Sequence, residues 1–549
     1  MRAWRLLVGL VFAAGAAALV GGTAAGQTDA TPEQVAACEA LTGMRHLTIT
    51  SATIARTRSG TPYCYLKGAL PPAIRYHVQL PFPGNWNGRF LQWGDGGKDG
   101  DLDFADHRVD EGYAVANSNT GHDNGAEPGA SFAFNNRQAE IDFGYRAVHL
   151  TVNAGKTVVR AYYGGPPEYA YFEGCSTGGR QGLMEAQRYP YDFDGIVAGA
   201  PVNYYQAMNA GSIWNLQGMF RDDFAGALSF DTDGDGSRDS VRKTTLLAET
   251  VLATCDAADG ITDGVIDDPM ACDFDPDRDL AALMCADRDA ADCYTPAQLQ
   301  TVKDLYRGPY DSAGRQVYYG KALGSEMQWL RFLVPHAGNN GRPGAFGPAG
   351  DHLNYLFYET DPGVAMQNLV DLSREPDTTA SLPEWAWWHF TIDDVTAGKG
   401  DLMMSITDST DPDLSRFLLD NGGKLILYHG WSDVLTVPAA TVAYYDNVVD
   451  TTFDGQVDRA REHTRLFLAP GMSHCGGGPG PNSWDKLEVL VAWVERGDAP
   501  DTIVATHSTN GVVDNERPLC AYPEQAVYTG PAAGANDPAN WVQGNFSCR

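Results

Sequence analysis

The chain has 549 residues and carries 39 Lys and Arg against 70 Asp and Glu, a formal net charge of -31. This charge excludes nucleic acid and anionic membranes as expected partners, because both repel an acidic surface. One domain holds about 150 residues, so the length predicts two to four domains, or one large domain with an insertion. The composition indicates nothing about the oligomeric state.

The first 26 residues have the three parts of a secretory signal. The basic start MRAWR precedes the apolar run LLVGLVFAAGAAALV and the small-residue stretch GGTAAG. The apolar run is short for a membrane span, which needs about 20 residues. We therefore predict a signal peptide over 1–26 and a secreted or periplasmic mature chain. An uncleaved anchor is the alternative.

Short apolar runs alternate with helical patterns in the first part of the mature chain. The stretch from Gln138 to Tyr163 repeats apolar residues at three- to four-residue steps, and a short helix follows Ser176. This alternation predicts an α/β fold with a parallel sheet. The predicted strands are RYHVQLP (75–81), FLQWGDGG (90–97), YAVANSNTGH (113–122), YAYFEGCS (169–176) and FDGIVAGAP (193–201).

The alternation stops near residue 204 and returns near residue 420. The segment between is rich in Asp, Cys, Gly and Trp, with helical pieces such as TPAQLQTVKDLY (295–306). After it come KLILYHGWSD, TRLFLAPGMSHC and the helical SWDKLEVLVAWVERG. We predict a catalytic α/β domain made of 27–203 and 420–549, interrupted by an inserted lid domain over 204–419.

Residues 174–178 read GCSTG and fit the pattern G-x-S-x-G. Where a strand turns sharply into a helix, this pattern projects the serine hydroxyl at the apex of the turn. The amide of Thr177 would then face an oxyanion that develops on a substrate. The pattern alone also fits an ordinary glycine-rich turn, but its place between an apolar run and a helix favours a nucleophile.

A serine nucleophile needs a base and an acid that orients the base. Asp433 follows the predicted strand KLILYHG, and His474 follows RLFLAPG. The chain order Ser, Asp, His is the order of α/β-hydrolase triads. We expect His429, four residues before Asp433, to be a neighbour of the triad. We interpret His149 as structural and regard His122 as a weaker candidate for the base.

Cysteines flank both the predicted nucleophile and the predicted base. Cys175 precedes Ser176, and Cys475 follows His474. If Ser176 and His474 meet, a Cys175–Cys475 disulfide would hold the two loops together. The ten cysteines form an even set in an exported chain, which favours disulfides, and no C-x-x-C pair is present.

Cys-Ser, Asp and His-Cys in this order resemble the tannase and feruloyl esterase family. The resemblance extends over most of the mature chain through NWNGRFLQWGDGG, EGCSTGG, CDAADGITDGVIDDP, YHGWSDVLTVP and APGMSHCGGGPGP. It implies an α/β-hydrolase core, an inserted lid, ester hydrolysis and a triad of Ser176, Asp433 and His474. It also implies the disulfides Cys38–Cys64, Cys285–Cys293 and Cys520–Cys548.

The second oxyanion donor is expected in the loop from Gly94 to Gly97, which follows a strand. Glycines allow backbone amides to approach a bound carbonyl closely. The family resemblance supports this loop but does not choose between Gly96 and Gly97. An ordinary glycine-rich turn is the alternative.

The segment CDAADGITDGVIDD (255–268) predicts a structural calcium site in the lid. Asp256, Asp259 and Asp263 supply the closely spaced carboxylates that Ca²⁺ prefers. The resemblance adds the backbone carbonyls of Ile261 and Val265. A disulfide between Cys255 and Cys272 would close the loop. A solvated acidic turn is the alternative.

A second acidic run, DTDGDGSRDS (231–240), is a weaker candidate metal site. Asp231, Asp233, Asp235 and Asp239 occupy positions 1, 3, 5 and 9 of an EF-hand-like loop. Position 12 is Arg242, so the bidentate glutamate of such loops is missing. Calcium binding and a simple acidic loop both stay open here.

Family members favour aromatic acids, so we expect a small aromatic ester as substrate. Trp431 is near Asp433, and Arg331 or Arg342 could meet a substrate carboxylate. We expect one or two of the lid aromatics in the pocket and the rest in the lid core: Trp329, Phe332, Phe346, Tyr355, Phe357, Trp385, Trp387 and Trp388.

Three functions follow from these residues. The first is a secreted feruloyl or related hydroxycinnamoyl esterase. The second is a tannase or a mono(2-hydroxyethyl) terephthalate hydrolase-like esterase. The third is a calcium-dependent binding protein with an inactive hydrolase core. A peptidase is a weaker fourth, because the same triad can cleave amides.

Overall fold

The computed structural model describes residues 30–362 and 389–549. Nine strands form one sheet in the order β1-β2-β3-β5-β4-β6-β7-β8-β9. The predicted signal peptide over 1–26 lies outside the described residues. The strands are β1 Thr48–Arg56, β2 Pro62–Leu70, β3 Ile74–Pro81, β4 Arg89–Trp93, β5 Ala114–Ser118, β6 Tyr169–Cys175, β7 Gly195–Gly199, β8 Lys424–Gly430 and β9 Thr464–Ala469.

The sheet is parallel from β5 through β9 and antiparallel at its other side. β5 pairs with β4, β4 with β6, and each later strand with its neighbour in parallel register. β1, β2, β3 and β5 pair in antiparallel register. All parallel strands fall within the predicted runs to within one residue, so the α/β prediction is confirmed. The run at 75–81 forms β3, which is antiparallel to its neighbours.

Helices cover both faces of the sheet. Their bounds are α1 Pro32–Ala40, α2 Asp106–Asp110, α3 Arg137–Ile141, α4 Ala147–Tyr163, α5 Thr177–Arg188, α6 Tyr205–Phe224, α7 Arg242–Cys255, α8 Pro276–Asp279, α9 Pro296–Arg307, α10 Glu326–Phe332, α11 Phe346–Tyr355, α12 Asp393–Thr396, α13 Asp401–Thr407, α14 Pro438–Phe453, α15 Val457–Ala460 and α16 Lys486–Arg496. A π-helical turn over Asp142–Arg146 joins α3 to α4.

Alternate residues of the strands enter two different cores. Phe172 of β6 packs with α4, α5 and α14 through residues such as Val152, Leu183 and Val448. Tyr171, its neighbour in β6, packs on the opposite face with α16 through Leu490. This alternation follows from the two-residue period of a strand and buries the parallel sheet on both sides.

The chain between β7 and β8 contributes α6 to α13 and, within its described residues, no strand of the sheet. These helices bury a core of their own around Leu216, Leu247, Trp329 and Leu353. A separate core is what an inserted domain requires, while the boundaries 204 and 419 stay a prediction. Within the described parts of the chain, no helix is both long enough and apolar enough for a membrane span.

Two small antiparallel strand pairs lie after α16, near the C-terminus. β10 Thr502–Thr509 pairs with β11 Val512–Cys520, and β12 Ala526–Tyr528 pairs with β13 Phe546–Cys548. The structure forms all five predicted disulfides: Cys38–Cys64, Cys175–Cys475, Cys255–Cys272, Cys285–Cys293 and Cys520–Cys548.

Candidate active site

Ser176 lies at a strained turn between β6 and α5. Its backbone has φ 65° and ψ -121°, in a region that residues with a side chain rarely adopt. The turn is held by hydrogen bonds from Ser176 N to the Gly199 carbonyl at 3.0 Å and from Arg180 N to the Ser176 carbonyl at 3.1 Å. Such strain at one residue directs its side chain out of the sheet edge.

Close backbone packing explains the small residues around the turn. A Cβ atom on Gly174 would lie 2.8 Å from the Gly178 backbone, and a Cβ on Gly179 would lie 2.3 Å from the Gly199 carbonyl oxygen. Both distances are shorter than side chains tolerate. The glycines of the motif therefore let β6, α5 and β7 approach each other while Ser176 stays at the apex.

Asp433 is fully buried after β8, and its carboxylate has several donors. Oδ1 accepts from the amides of Leu435 at 2.9 Å and Thr436 at 3.2 Å. Oδ2 accepts from Thr436 Oγ1 at 2.6 Å. Sequence reasoning missed Thr436, whose hydroxyl reaches Asp433 only because the chain turns back directly after the strand.

Two histidines contact Asp433 Oδ2. His474 Nδ1 donates to it at 2.6 Å, and His429 Nε2 lies 3.1 Å from it. His429 Nε2 is also 2.8 Å from the Thr436 carbonyl oxygen, so this nitrogen carries the hydrogen. The predicted place of His429 beside Asp433 is confirmed. His429 is fully buried, whereas His474 reaches the surface of a cavity.

Electrostatic interactions around Asp433 shift the pKa values of Asp433 and His474. Burial would raise the pKa of Asp433, but the charge of His474 and the bonds from His429 and His474 outweigh burial and lower it. Burial lowers the pKa of His474, but the charge and hydrogen bond of Asp433 outweigh it, so this pKa is raised. Asp433 therefore stays ionised and makes His474 a stronger base.

The disulfide Cys175–Cys475 ties the serine turn to the histidine loop across 300 residues of sequence. The Cα atoms are 6.0 Å apart. Cys475 has φ 62°, so left-handed backbone occurs at both Ser176 and Cys475. The crosslink thus holds together the two strained loops that carry Ser176 and His474.

Ser176 and His474 line the same cavity, which has a volume of about 570 Å³. Thr177, Gly97 and Thr436 belong to its catalytic wall. Most of the remaining wall comes from α6, from the segment before and within α11, and from neighbouring loops. It is mainly apolar and includes Val202, Tyr205, Met208, Phe332, Ala345, Pro348 and Leu435.

The glycine-rich loop after β4 lies against the serine turn. Thr177 Oγ1 donates to the Gly97 carbonyl at 2.6 Å, and Gly97 has φ 60°. Asp95 anchors the loop to α5, because its backbone amide donates to Gln181 Oε1 at 3.0 Å. Gly97 lines the cavity and Gly96 is not among its lining residues. This geometry favours Gly97 over Gly96 as the residue next to the reacting carbonyl.

Several residues predicted for the pocket lie elsewhere. Trp431 is buried and lines a different pocket beside Asp267 and Tyr522, so its predicted place at the site is wrong. Neither Arg331 nor Arg342 lines the cavity; each stacks over a lid phenylalanine. Of the lid aromatics, Phe332 lines the cavity, while Trp385, Trp387 and Trp388 lie outside the described residues. The others are buried in the lid: Trp329, Phe346, Tyr355 and Phe357.

The predicted calcium loop is closely tied to β11. Asp256 accepts from the amides of Asp263 at 3.1 Å and Gly264 at 3.0 Å. Arg517, fully buried, lies 2.6 Å from Asp263 and 3.5 Å from Asp259. Arg517 also contacts the carboxylate of Asp267.

The charge balance of this loop fits a divalent cation. Asp259, Asp263 and Asp267 contact the single guanidinium, and Asp256 adds a fourth carboxylate to the loop. Among the described residues, Asp259 Oδ2 is buried and makes no hydrogen bond, and its contact with Arg517 is a long ion pair of 3.5 Å. Burial raises the pKa of Asp259 to about 6, against the opposing charge of Arg517. A bound cation would satisfy this oxygen, with Ile261 and Val265 offering carbonyls.

Within the described parts of the chain, two sets of three side chains bring ligand atoms within 4.8 Å of one another. The first is Asp231, Asp233 and Asp235 of the second acidic loop. Asp239 of that loop instead accepts from Thr232 N at 3.0 Å. The second set is His149, Glu185 and Asp192. The carboxylates of the predicted calcium loop do not form such a set, and metal binding at both loops stays a prediction.

Known proteins resemble the chain over most of its length. The family model "Tannase and feruloyl esterase" matches residues 60–541. A mono(2-hydroxyethyl) terephthalate hydrolase of Piscinibacter sakaiensis is 34% identical over 528 residues, with 87% of this chain and 84% of the relative covered. A probable feruloyl esterase B-2 of Aspergillus flavus is 32% identical over 452 residues, with 78% and 76% covered.

Solved structures share the fold. Feruloyl esterase B from Aspergillus oryzae superposes with a TM-score of 0.76 at 24% identity, covering 94% of this chain and 100% of that one. Tannin acyl hydrolase from Aspergillus niger gives 0.72 at 20% identity, covering 95% and 96%. The predicted α/β-hydrolase fold is confirmed. The chain belongs to the tannase and feruloyl esterase family and is a carboxylic ester hydrolase.

Proposed function

We propose that the chain is a secreted serine esterase that hydrolyses small esters of aromatic acids. Ser176 is the nucleophile, His474 the base and Asp433 the acid that orients it. One observation carries the proposal: Ser176 at its strained turn and His474 held by Asp433 open into one largely apolar cavity. The signal-like sequence over 1–26 and the five disulfides support secretion.

The reaction follows from the protonation states. Asp433 holds His474 with a hydrogen on Nδ1, which leaves Nε2 free to accept a proton. His474 takes the proton of Ser176 Oγ as that oxygen attacks the ester carbonyl carbon. His474 then gives the proton to the departing alcohol, and water hydrolyses the acyl-enzyme by the same route.

Backbone amides stabilise the negative charge that forms on the carbonyl oxygen. Thr177 N is the first amide of α5, and the positive end of the helix dipole lies there. The second donor comes from the loop around Gly97. Thr177 Oγ1 binds the Gly97 carbonyl and so fixes the loop relative to the helix.

The cavity suits a planar apolar acyl group. Phe332, Tyr205 and Met208 can contact an aromatic ring, and a volume of about 570 Å³ exceeds what a single substituted ring requires. The relatives carry names that specify ferulate, terephthalate or tannin esters. An aromatic acid ester is therefore the substrate class we assign.

Lys98 adds a positive charge to the cavity wall, where it selects among aromatic acids. Its Nζ donates to Tyr205 OH at 2.8 Å and lies 4.8 Å from the ring centre. A substrate with a carboxylate on the ring can pair with this amine. Lys98→Gln should lower kcat/KM for mono(2-hydroxyethyl) terephthalate about tenfold, which corresponds to about 1.4 kcal/mol, and leave a neutral aryl ester nearly unchanged. Equal losses for both esters would contradict this role.

The loop from Asp256 to Val265 binds one structural Ca²⁺ through Asp256, Asp259 and Asp263 and the carbonyls of Ile261 and Val265. The support is the excess of carboxylates over the single Arg517 and the buried Asp259 Oδ2, which makes no hydrogen bond and has only a long ion pair with Arg517. The ion would fix the lid to β11. The second acidic loop, with Asp231, Asp233 and Asp235, is a weaker calcium candidate.

The test is hydrolysis of a small ester panel by wild type and Ser176→Ala. The panel holds methyl ferulate, methyl gallate, mono(2-hydroxyethyl) terephthalate, p-nitrophenyl acetate and an aryl amide. We expect turnover of at least one aromatic ester, no turnover of the amide, and a loss of about 10³-fold or more in the variant. Retained activity in Ser176→Ala would overturn the triad. Binding of an aromatic ester without turnover by wild type would favour the binding-protein alternative.

A further inference from the structure

A histidine and two carboxylates meet at the far end of α5, away from the catalytic cavity. His149 comes from α4, Glu185 from α5 and Asp192 from the loop before β7. Their ligand atoms all lie within 4.8 Å of one another, and His149 Nδ1 is 2.6 Å from Asp192 Oδ2. His149 also stacks on Tyr189, with ring centres 3.7 Å apart, which fixes the plane of the imidazole.

Hydrogen bonding within the protein does not explain why the carboxyl group of Glu185 is buried. Glu185 is 1% exposed, and neither carboxyl oxygen has a partner at hydrogen-bond distance among the described residues. Burial raises the pKa of Glu185, and the charge and side-chain contact of Asp192 raise it further, against the opposing charge of Lys156. A buried carboxyl group without a partner is costly, so its retention needs a ligand or another role.

The donor set has the chemistry of a divalent transition-metal site. Zn²⁺ binds imidazole nitrogen and carboxylate oxygen, and three protein ligands leave a coordination position for water. About a quarter of the His149 side chain and a sixth of the Asp192 side chain are exposed, so an ion can enter from solvent. We propose that His149, Glu185 and Asp192 bind one zinc-class divalent cation that ties α4, α5 and the 189–194 loop together.

Glu185 and Asp192 bind the ion as carboxylates, with no change of oxidation state, and any proton on Glu185 passes to the buffer as the oxygen–metal bond forms. The Asp192 carboxylate exchanges its contact with His149 Nδ1 for the ion, and the imidazole binds as the neutral ring. Lys156 Nζ binds the backbone carbonyl of Asp192.

The proposed site is structural. Glu185 lies about 13 Å along α5 from Ser176, too far to touch a substrate at the serine. The ion would crosslink α5, the helix that begins directly after Ser176, to α4, which packs on the same face of the sheet. Bound zinc should therefore raise the unfolding temperature and leave the reaction itself unaltered.

The test is zinc titration by calorimetry of the tag-free full chain, stripped with EDTA and then dialysed into EDTA-free buffer with Ca²⁺ in excess, together with thermal unfolding in that buffer with and without Zn²⁺. Glu185→Gln keeps the size of the side chain and removes the carboxylate. His149→Gln keeps a polar group beside Asp192 and removes the imidazole. Asp233→Asn is the matched control, because it disrupts the other three-ligand set. Circular dichroism and esterase activity in the same zinc-free buffer with Ca²⁺ in excess check that each variant is folded.

We expect wild type and Asp233→Asn to bind zinc with the same affinity and to gain thermal stability from it. Glu185→Gln and His149→Gln should bind at least about tenfold more weakly. Absence of zinc binding by wild type, unchanged affinity in both site variants, or loss of binding in Asp233→Asn alone would each overturn the proposal.

Discussion

The carboxylate of Asp433 lies between His474 and His429, and its charge controls the basicity of His474. A negative group at 2.6 Å favours the imidazolium form, so the pKa of His474 lies above its ordinary value of 6.5. The base works only when neutral. Activity should therefore fall as the pH drops through this raised pKa, and the acidic limb of kcat/KM should lie above pH 6.5.

Asp433→Asn removes that charge and should shift the acidic limb to lower pH. It should also reduce kcat about 10⁴-fold, because the neutral amide does not hold the productive tautomer of His474. The measurement is the pH profile of kcat/KM for wild type and variant. Asp413→Asn, at an exposed carboxylate far from the cavity, is the control and should leave the profile unchanged. A limb that stays in place in Asp433→Asn would argue against His474 as the titrating base.

At the level of single residues, strand ends were enough to choose the three candidate triad members, whose catalytic roles stay a prediction. Ser176, Asp433 and His474 each follow an apolar run, and parallel strands bring their carboxyl ends to one edge. Thr436 was not predicted, because its contact with Asp433 depends on the turn after β8 and leaves no pattern in the sequence. Trp431 was misplaced, because closeness in sequence to Asp433 does not determine which side of the loop a side chain faces.

The Cys175–Cys475 crosslink acts on two loops at once. The disulfide closes a loop of 300 residues. It therefore lowers the entropy of the unfolded chain, which stabilises the folded state by about 5 kcal/mol. The double variant Cys175→Ala, Cys475→Ala should be less stable by an amount of that order. It should also show lower kcat/KM at a temperature where it is folded, because Ser176 and His474 are held less closely.

Removal of Cys285–Cys293 provides the matched control for that prediction. This bridge closes a loop of eight residues in the lid, which predicts a loss of about 2 to 3 kcal/mol. It should leave kcat/KM unchanged because it touches neither loop of the site. Unfolding in guanidinium and steady-state kinetics measure the two effects. Equal kinetics in both double variants would refute a positioning role for the first disulfide.

Among the elements, the parallel strands and β3 were predictable as strands, whereas β1 and β2 at the antiparallel edge were not. β7 and β8 are continuous apolar runs because both faces of each are covered. β1 mixes Thr, Ser and Ala, and most of its residues are at least partly exposed. Such an edge strand is specified by its partner β2 rather than by its own hydrophobic pattern. The order of strands likewise depends on crossovers that no single segment encodes.

Calcium binding by the 256–265 loop would connect the lid to the rest of the molecule through β11. Asp256→Asn is the clean test, since Asp256 has no ion pair with Arg517 and the Asn Oδ1 can still accept from the amides of Asp263 and Gly264 that Asp256 Oδ1 binds. Excess Ca²⁺ at about 100 times Kd should stabilise wild type by about 2.7 kcal/mol, and the variant by much less. Thermal unfolding in EDTA and in CaCl₂ measures this. Identical calcium responses would contradict the assignment, and Asp233→Asn separates the contribution of the second loop.

The net charge of -31 acts on the whole molecule. Like charges repel more in the compact state than in the unfolded chain, so screening should stabilise the fold. Raising NaCl from 0.1 to 1 M shortens the screening length from about 10 Å to about 3 Å. With calcium held in excess, the unfolding temperature at pH 8 should rise with NaCl. Near pH 5 the carboxylates begin to protonate, so the same salt increment should have a smaller effect. A flat or falling response at pH 8 would mean that exposed ion pairs such as Arg75–Asp123, which salt weakens, outweigh the repulsion.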